Sequence, residues 1–87
     1  MKKIKIDIHT LQRAAERGTT QEEIIDVILN GIDTPAKYNR RAKYKIYEFN
    51  QVRCGKFYKH KKVEVYFIEE SDIIITITVY VFYGEWR

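Results

Sequence analysis

The chain of 87 residues predicts one domain, residues 1–87, with a single modest core. Hydrophobic residues at 45% and aromatic residues at 14% exclude a disordered chain, and 32% charged residues with a net charge of +4 predict a soluble protein. No run reaches the about 20 apolar residues of a membrane span. Charges alternate with isoleucine where a signal peptide would be apolar, so we expect a cytoplasmic protein with no membrane association.

The single cysteine, Cys54, excludes an internal disulfide and agrees with a reducing compartment. It lies in the segment VRCGK, whose alternation predicts a small strand residue. Because a reactive thiol needs an electropositive pocket, we do not expect Cys54 to act as a nucleophile.

The amino-terminal segments predict a strand and then a helix. KIKIDIH alternates charged residues with isoleucine, which is typical of a short half-buried strand. Thr10 is the expected N-cap of a helix over residues 11–17, and Gly18 is placed to end it in the left-handed region.

The segment TTQEEIIDVILNG carries the clearest helix signals. Thr20 and Glu23 have the spacing of a capping box, and Gly31 marks the end. The expected apolar stripe is Ile24, Ile25, Ile28 and Leu29. Pro35 prevents the helix from resuming soon afterwards.

From Lys43 onward the pattern favours strands. KYKIYEFN and QVRCGKFY are predicted to pair around a turn near Asn50 and Gln51, with KHKK linking to VEVYFI and EESD turning into a last strand around residues 73–82. In that strand one face is predicted to carry Ile73, Ile75, Ile77, Val79 and Val81, and the other Thr76, Thr78 and Tyr80. The predicted fold is α+β, with two short N-terminal helices on an antiparallel sheet of three to five strands.

Positive charge is concentrated in the middle of the chain. Residues 37–62 have a net charge of +9, whereas residues 1–36 and 63–87 have net charges of −1 and −4. Tyrosine and phenylalanine are interleaved with these lysines and arginines, a combination that suits a polyanion with bases that can stack. The alternative is a solvated strand face above buried aromatic partners. Our candidate nucleic-acid-binding residues are Arg40, Arg41, Arg53, Lys59, His60, Lys61 and Lys62.

Several other chemistries lack their usual sequence signals. Two histidines, one cysteine and scattered acids show no metal-ligand spacing, so no metal is expected. The four glycines form no phosphate-binding loop, and no cofactor is expected.

The remaining candidate is the basic triplet of HTLQRAAERG. His9, Arg13 and Arg17 recur every fourth residue and lean along one side of a helix. Arginine binds phosphate oxygens with a planar fork, and imidazole exchanges a proton near neutral pH. The alternatives are a surface or capping role for His9, a stacking or capping role for Arg13 and an ion pair for Arg17.

These motifs resemble a small prokaryotic domain family of unknown function. The likeness rests on His9, Arg13, ERG at residues 16–18, the TTQEEIIDVILNG helix and a terminal strand containing Thr78, Val79 and Tyr80. That family is distantly similar to the RelE, ParE and BrnT class of toxins. The chain departs from the family in its GTT turn and its long VFYGEWR ending.

The resemblance implies a RelE-like fold with a curved antiparallel sheet and a metal-independent endoribonuclease activity. The 2′-hydroxyl of RNA would attack the adjacent phosphate, with His9 as acid or base, Arg13 and Arg17 as the phosphate clamp and Tyr80 as a second proton or hydrogen-bond partner. His60 is the weaker choice for that second role and a candidate phosphate contact.

Three functions therefore remain open from the sequence. The first is a RelE-like endoribonuclease and toxin, and the second is a noncatalytic module that binds RNA or DNA. The third is a protein-interaction domain whose basic residues face an acidic antitoxin-like partner, since the ParE branch acts on a protein. Fold similarity by itself does not choose among them.

Overall fold

A computed structural model describes residues 2–86 and shows an α+β fold with two helices and five strands. The two helices precede the three long strands, as the sequence predicted. In chain order the elements are β1 (Lys3–Lys5), α1 (Ile8–Arg17), α2 (Gln21–Asn30), β2 (Ile32–Thr34), β3 (Arg41–Arg53), β4 (Lys56–Glu70) and β5 (Ile73–Gly84).

All five strands belong to one sheet with the order β1-β5-β4-β3-β2. Strands β3 to β5 pair antiparallel, as predicted. Strand β2, which the sequence did not predict, pairs antiparallel with β3, and β1 pairs parallel with β5 and makes the sheet mixed. Residues 3–5 pair with residues 73–75. The parallel direction of β1 therefore depends on a contact between segments that are far apart in the sequence. Local alternation in the sequence carries no information about such a partner.

Helix α1 begins earlier than predicted because Asp7, not Thr10, is its N-cap. The Asp7 carboxylate accepts a 3.0 Å hydrogen bond from the backbone N–H of His9. Thr10 is fully buried, and its hydroxyl accepts a 3.0 Å hydrogen bond from the Thr76 hydroxyl of β5. Thr10 therefore fixes α1 against the sheet. Gly18 ends the helix in the left-handed region, with φ of 92°, as predicted.

Helix α2 has the predicted limits but a different buried face. The Thr20 hydroxyl accepts from the backbone N–H of Glu23, and the helix ends before Gly31. The buried positions are Ile24, Val27 and Ile28. Leu29 is 61% exposed, so its place in the predicted apolar stripe was wrong.

The β3–β4 hairpin turns four residues later than predicted. Strand β3 runs without a break to Arg53, and Cys54 and Gly55 form the turn with φ angles of 53° and 80°. Asn50 does adopt a positive φ, but it lies at a bulge where the pairing shifts between Glu48 and Gln51. The segment KHKK lies inside β4 rather than in a link, and Cys54 is an exposed turn residue rather than a strand residue.

A second bulge, at Ile77, divides the two faces of β5. Tyr66 pairs with Thr78 while the next residue of β4, Phe67, pairs with Thr76. The extra residue reverses the alternation, so Thr76 is buried beneath α1 and not on the face of Thr78 and Tyr80. The predicted single apolar face from residue 73 to residue 81 is therefore wrong.

The core lies between the helices and one face of the sheet. Its largest fully buried members are Phe67, Ile24, Val27, Val63, Val65 and Val79. The opposite face carries Tyr66, Thr78, Tyr80 and Phe82, and we call it the open face. Among residues 2–86, neither helix has the length or the apolar run that crossing a membrane requires.

Candidate nucleic-acid interface

A row of aromatic rings crosses the open face from β4 to the end of β5. The rings of Tyr66 and Tyr80 meet edge to face with centroids 5.6 Å apart, and those of Tyr80 and Phe82 stack at 6.4 Å. Tyr80 and Phe82 are 41% and 45% exposed. The bulge at Ile77 produces this row, because it directs the even-numbered side chains that follow it toward the open face.

The loop between β2 and β3 forms a groove against the row. The groove has a volume of about 330 Å³, and we call it the Tyr80 groove. It is lined by Pro35, Ala36, Lys37, Tyr38, Arg40, Tyr66, Thr78 and Tyr80. Tyr38 and Asn39 both have positive φ angles, and the Tyr38 side chain is 84% exposed at the rim. The groove thus combines exposed tyrosine with two cations.

Arg17 reaches Tyr80 from the end of α1. Its guanidinium carbon lies 4.9 Å from the centroid of the Tyr80 ring, and Nη1 donates a 2.7 Å hydrogen bond to the carbonyl oxygen of Val79. Arginine carries five N–H donors. The hydrogen bond to Val79 is the only one that the structure shows for this guanidinium within residues 2–86, so donors remain for a ligand.

Three strand side chains fix the end of α1 from which Arg17 extends. Each donates a hydrogen bond to one of the last carbonyl oxygens, which have no partner inside the helix. The pairs are Arg53 to Glu16 at 3.0 Å, Tyr83 to Arg17 at 2.6 Å and Lys61 to Gly18 at 2.9 Å. Two of these donors are cations, which the negative end of the helix dipole favours.

The Tyr66 hydroxyl in the groove gives its one proton to the Glu64 carboxylate, at 3.1 Å. Burial, and then this hydrogen bond, raise the pKa of Tyr66 above its usual value. Because the hydroxyl stays protonated at neutral pH and its proton is held by Glu64, it can accept a hydrogen bond from a ligand but does not act as a general base.

Of the four predicted catalytic residues, the structure brings together only Arg17 and Tyr80. His9 lies exposed in the first turn of α1, about 12 Å along the helix from Arg17, and its imidazole has no side-chain partner among residues 2–86. Arg13 is exposed and forms an ion pair of 3.1 Å with Glu16. Neither residue lines the Tyr80 groove.

The predicted binding cations are divided between surface and interior. Arg40 lines the Tyr80 groove. Arg41 is bound by Asp33 at 2.9 Å and Glu69 at 2.7 Å, and Lys62 lies 3.4 Å from Glu64. These carboxylates neutralise the charges of Arg41 and Lys62, which the sequence analysis had assigned to polyanion binding.

His60 and Lys61 are buried, so the surface role predicted for them conflicts with their positions. His60 is 1% exposed, and its Nδ1 accepts a 3.3 Å hydrogen bond from the backbone N–H of Trp86. The Lys61 ammonium lies 2.8 Å from Glu23, between the end of α1 and the start of α2. Strand β4 is the central strand of the sheet, and both of its faces are covered at His60 and Lys61. The run of basic residues in the sequence did not indicate this burial.

Arg53 and Lys59 lie on the β3–β4 hairpin, away from the Tyr80 groove. The Arg53 guanidinium lies 4.8 Å from the Tyr83 ring centroid while it binds the carbonyl of Glu16. The Lys59 side chain is 53% exposed and lies 3.9 Å from Glu85.

Sequence reasoning missed Lys37, Tyr38, Tyr66 and Phe82. Phe82 continues the two-residue alternation of Thr78 and Tyr80, so the pattern itself could have found it. Tyr66 becomes a neighbour of Tyr80 only through the register of β4 with β5. Lys37 and Tyr38 depend on the path of the loop after Pro35, for which no local pattern existed.

Residues 2–86 contain no cluster of three or more histidine, cysteine, aspartate or glutamate side chains that could hold a metal ion.

Comparisons of the chain with protein-family models, with curated proteins and with solved structures find no significant match.

Proposed function

We propose that this protein binds single-stranded RNA in the Tyr80 groove. The observation that carries the proposal is the exposed row of Tyr66, Tyr80 and Phe82, with the Arg17 guanidinium against Tyr80. Aromatic rings of this kind stack on unpaired bases, and neighbouring cations pair with the phosphates between them. Lys37 and Arg40 line the same groove and supply that charge.

The ion pairs of the central segment limit how strongly binding depends on salt. Lys37 and Arg40 line the Tyr80 groove and Arg17 contacts Tyr80, and none of the three has a carboxylate partner among residues 2–86. Three phosphate contacts on a single strand give a slope of about −2 for log K against log salt. A net charge of +9 read directly from the sequence would predict a much steeper slope.

RNA cleavage by a RelE-like mechanism is the second candidate, and the contact between Arg17 and Tyr80 favours it. The order of two helices before an antiparallel set of strands also agrees with the proposed RelE-like fold. The 2′-oxygen would attack phosphorus and the 5′-oxygen would leave with a proton, giving a 2′,3′-cyclic phosphate and a 5′-hydroxyl. Binding is favoured over cleavage because His9, the predicted acid or base, lies about 12 Å along α1 from Arg17.

The binding test uses a labelled oligouridine and pairs of matched variants. Tyr80→Ala should weaken binding by about 5- to 100-fold through lost stacking, whereas Tyr80→Phe should bind nearly as wild type. Arg17→Ala should weaken binding about tenfold. Arg13→Ala should not, because that arginine lies outside the groove and is paired with Glu16. Thermal melts of each variant separate lost binding from lost folding.

Wild-type protein that fails to bind the oligouridine, or Tyr80→Ala protein that binds as wild type, overturns the proposal. Binding of polyglutamate in place of RNA would favour the acidic antitoxin-like protein partner. Products with cyclic phosphate ends, formed in the presence of EDTA and lost in Arg17→Ala, would establish cleavage. Cleavage that persists in His9→Ala would reject His9 as its acid or base.

A further inference from the structure

A second groove of about 360 Å³ lies where the β3–β4 hairpin meets the end of β5. We call it the hairpin groove. It is lined by Lys56, Phe57, Tyr58, Lys59, Tyr83, Gly84 and Glu85. None of these residues lines the Tyr80 groove, so this is a separate concavity.

The wall of the hairpin groove is a fixed aromatic cluster around Tyr83. The Tyr83 ring lies 5.1 Å from that of Phe49 and 5.6 Å from that of Tyr58, and Arg53 covers it at 4.8 Å. Phe57, at the hairpin end, is 58% exposed. The groove therefore contains one ring that is fixed by packing, that of Tyr83, and one exposed ring, that of Phe57.

Positive charge surrounds these rings. Residues 49–59 contain three basic side chains and no acidic one. Lys56 Nζ lies 5.6 Å from the Tyr58 ring, and the Lys59 side chain is 53% exposed. Among residues 2–86, the one acid in the lining is Glu85, whose carboxylate is 61% exposed and 3.9 Å from Lys59. Exposed rings beside Lys56, which has no carboxylate partner among residues 2–86, and beside the partly neutralised Lys59 match the bases and phosphates of an unpaired strand.

The two grooves lie near the same end of β5 but on different faces of the sheet. Tyr80 and Phe82 alternate onto the open face, whereas Tyr83 points to the side of α1, where its hydroxyl reaches the Arg17 carbonyl. On the open face Gly84 lies beneath the ring of Trp86. Among residues 2–86, β1 pairs only with residues 73–75, so the edge of β5 between the two grooves is unpaired.

We propose that the RNA strand continues from the Tyr80 groove around this unpaired edge of β5 into the hairpin groove, so that the ligand is a single strand long enough to fill both. This inference rests on the proposed function of the Tyr80 groove. It predicts that affinity rises with the length of the RNA until the second groove is filled.

The test compares oligouridines of about 3 and about 10 nucleotides, lengths below and within the range of single-strand sites. Wild-type protein should bind the longer one at least tenfold more tightly. Lys56→Ala combined with Lys59→Ala should weaken binding of the longer oligonucleotide about tenfold and leave the shorter one unchanged. Phe57→Ala should act in the same direction. Lys3→Ala combined with Lys5→Ala removes equal charge from β1 and should change neither affinity.

Glu85→Gln is a variant expected to gain affinity, because it removes the acid that lines the hairpin groove in the described part of the chain. It should tighten binding of the longer oligonucleotide only. Equal affinity for both lengths, or hairpin variants that bind the longer RNA as wild type while Tyr80→Ala does not, overturns this inference and leaves the proposed function intact. Absence of binding to either length overturns both.

Discussion

The Tyr83 hydroxyl donates a 2.6 Å hydrogen bond to the carbonyl oxygen of Arg17. Tyr83 lines the hairpin groove, and Arg17 places its guanidinium on Tyr80 in the other groove. Burial raises the pKa of Tyr83, so its hydroxyl keeps the proton that it donates. One hydrogen bond thus joins the two sites through the end of α1.

Removing that hydroxyl should loosen the end of α1. Tyr83→Phe leaves the ring in place but leaves the Arg17 carbonyl without its donor, and we expect a loss of about 1 kcal/mol of stability. Urea unfolding measures the change. Tyr80→Phe is the control, since the structure gives the Tyr80 hydroxyl no hydrogen bond within residues 2–86, and its stability should match wild type. Equal stability of both variants would contradict this role for Tyr83.

Gly18 should tolerate alanine much less well than Gly55. Both have positive φ angles, of 92° and 80°. An added Cβ at Gly18 would lie 2.2 Å from the Tyr83 hydroxyl oxygen, whereas one at Gly55 would meet nothing within 4 Å. Gly55→Ala should cost about 1 kcal/mol for its backbone conformation, and Gly18→Ala should cost more because Tyr83 must also move. Denaturation midpoints that fall equally would show that the contact with Tyr83 is unimportant.

Asp26 should stabilise the fold in a pH-dependent way. Hydrogen bonds from Lys45, Tyr47 and Asn30 lower its pKa from 3.8 to about 2. Because the folded-state pKa lies below the unfolded value, this stabilisation is complete above about pH 4 and is lost as the pH falls to about 2. Asp26→Asn should therefore melt at a lower temperature than wild type at pH 7, and the gap should close between pH 4 and pH 2. A constant gap would contradict the linkage.

Lys61 and Lys59 are both basic residues of β4 with opposite expected roles. Lys61 is 9% exposed and joins Glu23 to the Gly18 carbonyl. Its removal leaves the Gly18 carbonyl and the partly exposed Glu23 carboxylate without their donor, which typically costs about 1–3 kcal/mol. Lys61→Ala should therefore lower stability by that amount, whereas exposed Lys59→Ala should stay within about 0.5 kcal/mol. Chemical denaturation of both variants provides the measurement, and similar losses would mean that Lys61 is not structural.

The local sequence was enough to predict the main elements, because helix caps and side-chain periods act between near neighbours. Thr20, Gly18 and Gly31 marked helix limits correctly, and the late alternation predicted long strands. Thr10 was misassigned as a cap because its hydroxyl pairs with Thr76, which lies 66 residues away in the chain. A capping pattern cannot show such a partner.

What only the tertiary structure decided is which residues share a surface. One bulged residue, Ile77, directs Tyr80 and Phe82 onto the open face, and the register of β4 supplies Tyr66 beside them. The same packing buries His60 and Lys61 and gives Arg41 two carboxylates, so a basic segment of the sequence is not a basic surface. Composition and charge follow from the chain itself, whereas exposure depends on long-range pairing, because burial and ion pairing are properties of neighbours in space.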